Sequence, residues 1–450
     1  MNDKQAKLGG QFDQTVVENI IDSALKAASS HGVTSAEAGM SVVSGLSVSV
    51  RLGEVETIEN QRDSGLGITV FIGHKKGSAS TSDLSETAIK QTAKAACDIA
   101  KYTGEDPCSG LAEKELMAKN VMNLELSHPW NIAVDEAVKI ASECEASALD
   151  YDKRITNSEG ATIDSHDSMR AYGNSHGFIG SYPTSRQTVS CSVLATDNEG
   201  MQRDYFYTIA RRHEDLQSAK EVGRQAATRS INKLSGRSLS ARQVPVVFSA
   251  DMASGLMNHF VNAIRGSAIY HESSFLLNQL DQQVFPEFIQ FHERPHIIRG
   301  LGSSPYDSDG VLTYDKNIVS DGILNNYVLD SYSAKKLKMK STANAGGVQN
   351  ILIPDTGMTL DQMLKEMGTG VLVMELMGQG INIVTGDYSR GASGFWVENG
   401  EIQYPVEEIT IAGNLKDMYM GIQAISNDTE KRRKIQTGSI WVDKMTVAGE

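Results

Sequence analysis

The sequence predicts an α+β protein of mixed, largely antiparallel sheets with helices, N-terminal α/β units preceding a C-terminal strand-rich domain. Three observations carry this expectation. Long passages within residues 35–80, 154–210 and 371–413 alternate apolar and polar side chains with the period of two that a half-buried strand requires. Helical-period segments lie between these passages, and runs of antiparallel strands do not give the strict alternation of a doubly wound parallel sheet. A chain of 450 residues with 40% hydrophobic content and 40 glycines is folded and turn-rich, and exceeds what one core usually organises. Units at 1–110, 111–236 and 237–450 are therefore expected.

In order along the chain, "TVVENIIDSALKAASS" (15–30) places Val17, Ile20, Ile21, Ala24 and Ala28 on one helical face, with His31-Gly32 as its stop. An antiparallel meander follows over 35–80, with Gly53, Gly65 and Gly73 as turns. Asp83 and Glu86 have capping-box spacing before a helix bearing Ile89, Ala93, Ala96, Cys97 and Ala100. Residues 104–130 carry proline, glycine and charge with weak periodicity, as a connection does. A helix at 132–150, strands over 154–210 turning at "NSEG" and "GNSHG", and a helix at 215–234 closed by Gly236 make the second unit. The third begins with the apolar strand "VPVVFSA" (244–250) and a helix through about 265. Later, Thr359 and Gln362 form a T-x-x-Q box on another helix.

Charge and cysteine usage narrow the function classes. The formal charge of −14 disfavours direct binding to nucleic acid, which needs clustered cations that release counterions. The basic run "EKRRK" (430–434) reads as a solvated loop or helix end. Cys97, Cys108, Cys144 and Cys191 form no C-x-x-C pair, as expected of reduced thiols in a cytoplasmic protein. The first residues read as a short frayed tail, with neither signal peptide nor lipidation motif, and no segment reads as a membrane span.

Several motifs invite catalytic readings. "HERPH" (292–296) matches H-E-x-x-H, whose chemistry needs a helix to bring the two imidazoles within roughly 6 Å. Pro295 opposes that helix, and on a strand His292 and His296 would stand about 13 Å apart. "GNSHG" (173–177) matches a nucleophile elbow around Ser175, but the following residues read as a strand, so a hairpin turn is expected. "GTG" and "GQG" lack nucleotide-cradle spacing. In "GLMNHFVNAIRGSAIYHESSF" (255–275), His259 and His271 are too far apart to form a helical ligand pair, and His271-Glu272 reads as exposed.

That last stretch, taken with "GLGITV" and "KGSAS" (65–80), "DKRITNSEG" (152–160), "GNSHG", "MGQG" and "DYSRGASGFWVENGEIQYPVEEITIAGNL" (387–415), resembles the TldD/PmbA peptidase family through most of the chain, and more closely its PmbA (TldE) branch. The resemblance implies that TldD-type members bind a catalytic metal through H-E-x-x-x-H and a distant cysteine. An i, i+5 pair lies about 140° apart on an ideal helix, so such a site needs a local bulge and the thiolate to close it. Carried over by position, the first ligand falls on Asn258, the general base on His259, the second ligand on Ala263 and the cysteine on Thr437. None of these restores a zinc set, so no metal is expected in this chain.

By the same resemblance, this would be the metal-less component of a cytosolic metallopeptidase that degrades or processes unstructured peptides. It would work with a TldD-like subunit that carries zinc or a similar metal, with homodimerisation when alone. Gly378 and Gly380 would touch peptide if an extended substrate adds to a sheet edge. The alternatives are a stand-alone metallopeptidase with atypical ligands and a regulatory protein-binding module, as the family's label of DNA gyrase modulator implies.

Overall fold

The computed structural model describes residues 13–449; most of the tail expected at the amino terminus lies outside them. Helix α1 (Gln14–Ser29) is capped by Asp13, whose carboxylate accepts the Thr15 N–H. The expected meander follows as β1 (Ser35–Arg51), β2 (Glu54–Ile72) and β3 (Lys75–Thr81). Leu52 and Gly53 both take positive φ, 50° and 80°, as a two-residue hairpin turn demands. Gly65 is no turn but an interior position of β2. Helix α2 (Glu86–Tyr102) starts from Ser85, which accepts the Ala88 N–H, while Asp83 accepts from Ser85 itself. The expected Asp83–Glu86 box is thus displaced by a serine nearer the helix.

Next come α3 (Val134–Leu149), β4 (Ile155–Asn174), β5 (Ile179–Thr196), β6 (Met201–Ala210) and α4 (Ala219–Asn232). "NSEG" proves to be a bulge inside β4, where the register shifts and Gly160 adopts φ 108°. The left-handed residue beyond α4 is Ser235, at φ 58°, not Gly236. The strands form one antiparallel sheet in the order β3-β2-β1-β4-β5-β6. β1 pairs with β4 from Glu37–Asn174 to Val50–Ala161, so residues on both sides of position 110 share this sheet. Even-numbered β1 residues face the helices: Ala36, Ala38, Met40 and Val42 pack with α1 and α2, Val48 and Val50 with α3 and α4. Its odd-numbered residues lie on the opposite face.

The C-terminal part runs β7 (Arg242–Phe248), α5 (Ala250–Ala263), α6 (Gly266–Tyr270), β8 (Phe291–Glu293), β9 (Lys316–Ser320), β10 (Ile323–Leu324), α7 (Ser331–Leu337) and β11 (Ile351–Leu352). It continues with α8 (Leu360–Met367), β12 (Gly370–Met377), β13 (Asp387–Glu398), β14 (Glu401–Asn414), α9 (Leu415–Met420), β15 (Ile422–Ile425), β16 (Ile435–Gln436) and β17 (Ile440–Gly449). The Thr359–Gln362 capping box is present at α8 in both directions. A six-stranded sheet has the order β14-β13-β12-β7-β17-β15, and β14 also pairs with β17, closing five of these strands into a ring. A smaller sheet has the order β10-β9-β8-β11-β16. Only β12–β7 and β11–β16 are parallel among these named strand pairs, so the expected α+β architecture is the one observed.

The run 430–434 corrects its sequence reading. Arg432 lies between domains, its guanidinium 4.6 Å from the ring centres of both Phe206 and Tyr207, donating to the Tyr207 carbonyl and pairing with Glu430 and Asp251. Asp251 also pairs with Arg229 of α4 at 3.1 Å. Burial raises the Asp251 carboxyl, but Arg432 and Arg229 more than offset it and leave the group below its usual range. This half-buried network fastens the first turn of α5 to the N-terminal sheet.

Candidate functional site

Helix α5 exists because its apolar residues recur with helical period. Ala253, Leu256, Met257, Phe260 and Val261 are buried, and Phe260 packs within 4.8–5.9 Å, ring centre to ring centre, of Phe285, Phe291 and Tyr419. The positions carried over from the metal motif sit on this helix with different fates. Asn258 is exposed, His259 is half-buried, and Ala263 is wholly buried. The Ser254 hydroxyl donates to the Ile435 carbonyl at 2.8 Å, so the segment bearing Thr437 does run beside α5. Thr437 itself is fully enclosed, and its hydroxyl donates to the neighbouring Gly438 carbonyl. The structure therefore brings the two motif segments together without assembling a donor set.

One imidazole, a carboxamide, a methyl group and a sequestered hydroxyl do not suit zinc. Among the described residues no group of three or more His, Cys, Asp and Glu side chains is placed to hold a metal ion.

His259 stands edge-on to Tyr388, with ring centres 6.2 Å apart. Burial, and then the Arg390 guanidinium, push its imidazole down to about 4. It is consequently neutral at neutral pH. An NMR titration is expected to place its midpoint near 4; a midpoint at 6.5 would mean that the ring is solvated. The linkage has a definite sign. With a folded value below the unfolded one, this residue's contribution is fully present above about pH 6.5 and is lost as pH falls through about 4, a change on the order of 3 kcal/mol.

The other motif residues are accounted for without catalysis. His292 lies on β8 and contacts Asn317, whereas His296 contacts Thr313, so "HERPH" forms no helix and its imidazoles take separate partners. Ser175 lies in the β4–β5 hairpin, where its hydroxyl accepts the Ala36 N–H. His271 and Glu272 are exposed, as expected. Gly378 and Gly380 lie in the exposed loop leaving β12, remote in sequence from α5. Gly378 takes φ 75°, and a Cβ at Gly380 would fall 1.8 Å from the Ser389 carbonyl oxygen, so both glycines have a backbone reason to be there.

A cavity of about 650 Å³ lies between the open face of the N-terminal sheet and loops 301–308 and 345–349 of the C-terminal domain. Its floor is Gly39, Ser41, Gly65, Gly67 and Ser80, and a Cβ built on Gly39 or Gly65 would meet nothing within 4 Å. The floor is bare backbone, to which an extended chain can approach closely. Tyr172, Tyr182 and Asp307 line its walls. Asp307 accepts the backbone N–H groups of Asp309, Val311 and Ala345, while burial, and then Asp309, push its carboxyl up to about 7. Sequence reading did not select this cavity, because its residues come from segments hundreds of positions apart. The signal available was the spacing of Gly65, Gly67 and Ser80, small residues on one face of paired strands.

Comparison with known proteins covers nearly the whole chain. Residues 36–100, 127–234 and 241–449 match, in order, domain 1, the central domain and the C-terminal domain of the PmbA/TldA metallopeptidases. The chain is 49% identical over 440 residues to Metalloprotease PmbA of Escherichia coli O157:H7, covering 98% of each. It is 52% identical over 416 residues to the Metalloprotease PmbA homolog of Haemophilus influenzae, covering 92% of each. In fold it is similar to a chain from Bacteroides thetaiotaomicron described as a modulator of DNA gyrase, with TM-score 0.91 and 24% identity over 96% of this chain and 99% of that one. TldE from Thermococcus kodakarensis gives a TM-score of 0.82 at 17% identity, over 96% of this chain and 100% of that one.

Proposed function

This chain belongs to the PmbA/TldD metallopeptidase family, in its PmbA (TldE) branch, and we propose that within it the chain is a metal-less cytoplasmic subunit. It would act with a TldD-type partner that carries zinc or a similar metal, and would help to hold unstructured peptides for cleavage there. The observation that carries this reading is the state of the motif positions: Ala263 and Thr437 are completely buried, and the imidazole of His259 is alone. A lone imidazole cannot close the three-ligand open site that a catalytic zinc requires. The glycine floor supports the second half of the reading, since an unstructured peptide is recognised through its backbone, and that needs an approach unobstructed by side chains.

The test is cleavage of an unfolded peptide by this chain, by a TldD-type chain and by their mixture, each with and without chelator. Chelator-sensitive cleavage is expected in the mixture and none by this chain alone. Chelator-sensitive cleavage by this chain alone would instead make it a stand-alone enzyme with atypical ligands.

A further inference from the structure

The cavity above the N-terminal sheet collects cations that form no ion pair among the described residues. Arg170, on β4 opposite Ser41, and Arg211, just beyond β6, line it together with Lys434 from the segment preceding β16. Arg265, immediately after α5, approaches the lining residue Gly347, its Nη2 3.3 Å from where a Cβ would stand. Among the described residues none of these four forms an ion pair with an aspartate or glutamate. In a chain of 42 basic and 56 acidic residues, carboxylates are in excess, so four unpaired cations around one cavity are not the consequence of composition.

Arg211 is the best fixed of the four. Its guanidinium donates to the carbonyls of Ser185 at 2.9 Å and Leu301 at 2.8 Å, while its buried Nε finds no partner. Lys434 feels the other three: burial lowers its ammonium, and Arg170, Arg211 and Arg265 lower it further. Asp307 offsets this charge only in part: it forms no ion pair with any of the four, and with burial and Asp309 pushing its carboxyl up to about 7 it is incompletely ionised at neutral pH. A cleft lined by charge of one sign draws in the opposite charge, and an anion bound here would relieve the repulsion among these cations.

We propose that this cavity binds a carboxylate of an extended peptide, held by Arg170 and Lys434 with Arg265 and Arg211 behind them, while the peptide backbone lies on the Gly39–Gly65–Gly67 floor. The inference rests on the reading of the chain as a peptide-holding subunit and adds the ligand chemistry. The carboxylate can come from a chain end or from an acidic side chain. A planar guanidinium and an ammonium at the two sides of a carboxylate give charge-assisted hydrogen bonds to both oxygens.

The test uses the full chain without its partner and three fluorescein-labelled neutral decapeptides. One has a free C-terminal carboxylate, one is amidated, and one is amidated with a central Asp-Glu pair. Anisotropy is expected to show binding of the first, the third or both, and binding of the plain amide weaker by about tenfold or more. The two acid-bearing peptides separate a chain-end site from a side-chain site. Arg170→Gln and Lys434→Gln should each abolish most of this selectivity, and Lys434→Arg should retain it; Arg170 and Lys434 are exposed, and thermal unfolding confirms that each variant is folded. Equal binding of the amide, selectivity unchanged in the Arg170→Gln/Lys434→Gln double variant, or no binding of any peptide would overturn the inference. So would a single-stranded oligonucleotide that displaces the peptide through the same residues, which would make the site one for phosphate. None of these outcomes bears on whether the mixture with a TldD-type chain cleaves, so the two readings fail separately.

Discussion

Glu293→Ala is expected to destabilise the C-terminal domain by about 3–5 kcal/mol, read as a shift of its denaturant midpoint at unchanged slope. Glu293 is the glutamate of "HERPH" and is completely buried. Its carboxylate lies 2.8 Å from the Lys316 ammonium, accepts the Gln349 N–H at 2.7 Å and accepts from the Asn344 amide at 2.9 Å. Lys316 is itself only 5% exposed in its side chain, and its remaining company is the Tyr314 ring, 4.6 Å away. Removing the carboxylate leaves the Lys316 ammonium and the Gln349 N–H in the interior without an acceptor, and the Asn344 amide with only the Gly347 carbonyl and Gln349 Oε1, each at 3.4 Å. The cost therefore comes mainly from what is left behind, and not from the worth of the pair. Glu293→Met with Lys316→Met should recover most of the loss, because no charge remains to be solvated. A loss below about 1 kcal/mol for Glu293→Ala would mean that water reaches Lys316.

The same residue shows how a motif read letter by letter differs from one read with its physics. Pro295 and the flanking strand pattern excluded a helical metal pair, and the structure puts His292 on β8. The sequence held no sign that Glu293 would be buried against Lys316, since that depends on β8 pairing with β9 across a long loop. Local features were legible in proportion to how local they are. The α8 capping box and the β1–β3 meander are written within a few residues, and both are present. "NSEG" was misread as a turn because a bulge and a turn share the same glycine chemistry, and only the pairing of β4 with β5 tells them apart. The "EKRRK" run looked solvated because charge alone does not reveal Phe206 and Tyr207, on which Arg432 rests. The cationic cavity was invisible for the same reason: Arg170, Arg211, Arg265 and Lys434, the last residue of the "EKRRK" run, come from four separate segments and meet only after the N-terminal sheet and the C-terminal domain pack.

Phe260→Ala should cost about 3–5 kcal/mol, whereas the adjacent His259→Gln should cost less than about 1 kcal/mol at pH 7. The contrast tests whether α5 serves as a packing element alone. Phe260 is wholly buried among Phe285, Phe291 and Tyr419, so its truncation opens a cavity that three large rings cannot collapse to fill. His259 is half-buried and neutral, and its one ring contact is edge-on to Tyr388. If the helix persists as a packing element, cleavage by the mixture with a TldD-type chain should survive Asn258→Ala and His259→Gln. In Phe260→Ala it should fall only in step with the folded fraction. Loss of cleavage in His259→Gln at full folded fraction would show that the imidazole reaches the reacting peptide, and this chain would then contribute a catalytic group of its own. The inner face of α5, Ala263 included, accounts for the helix by burial alone, so the expected result is that its outer positions Asn258 and His259 are free to change.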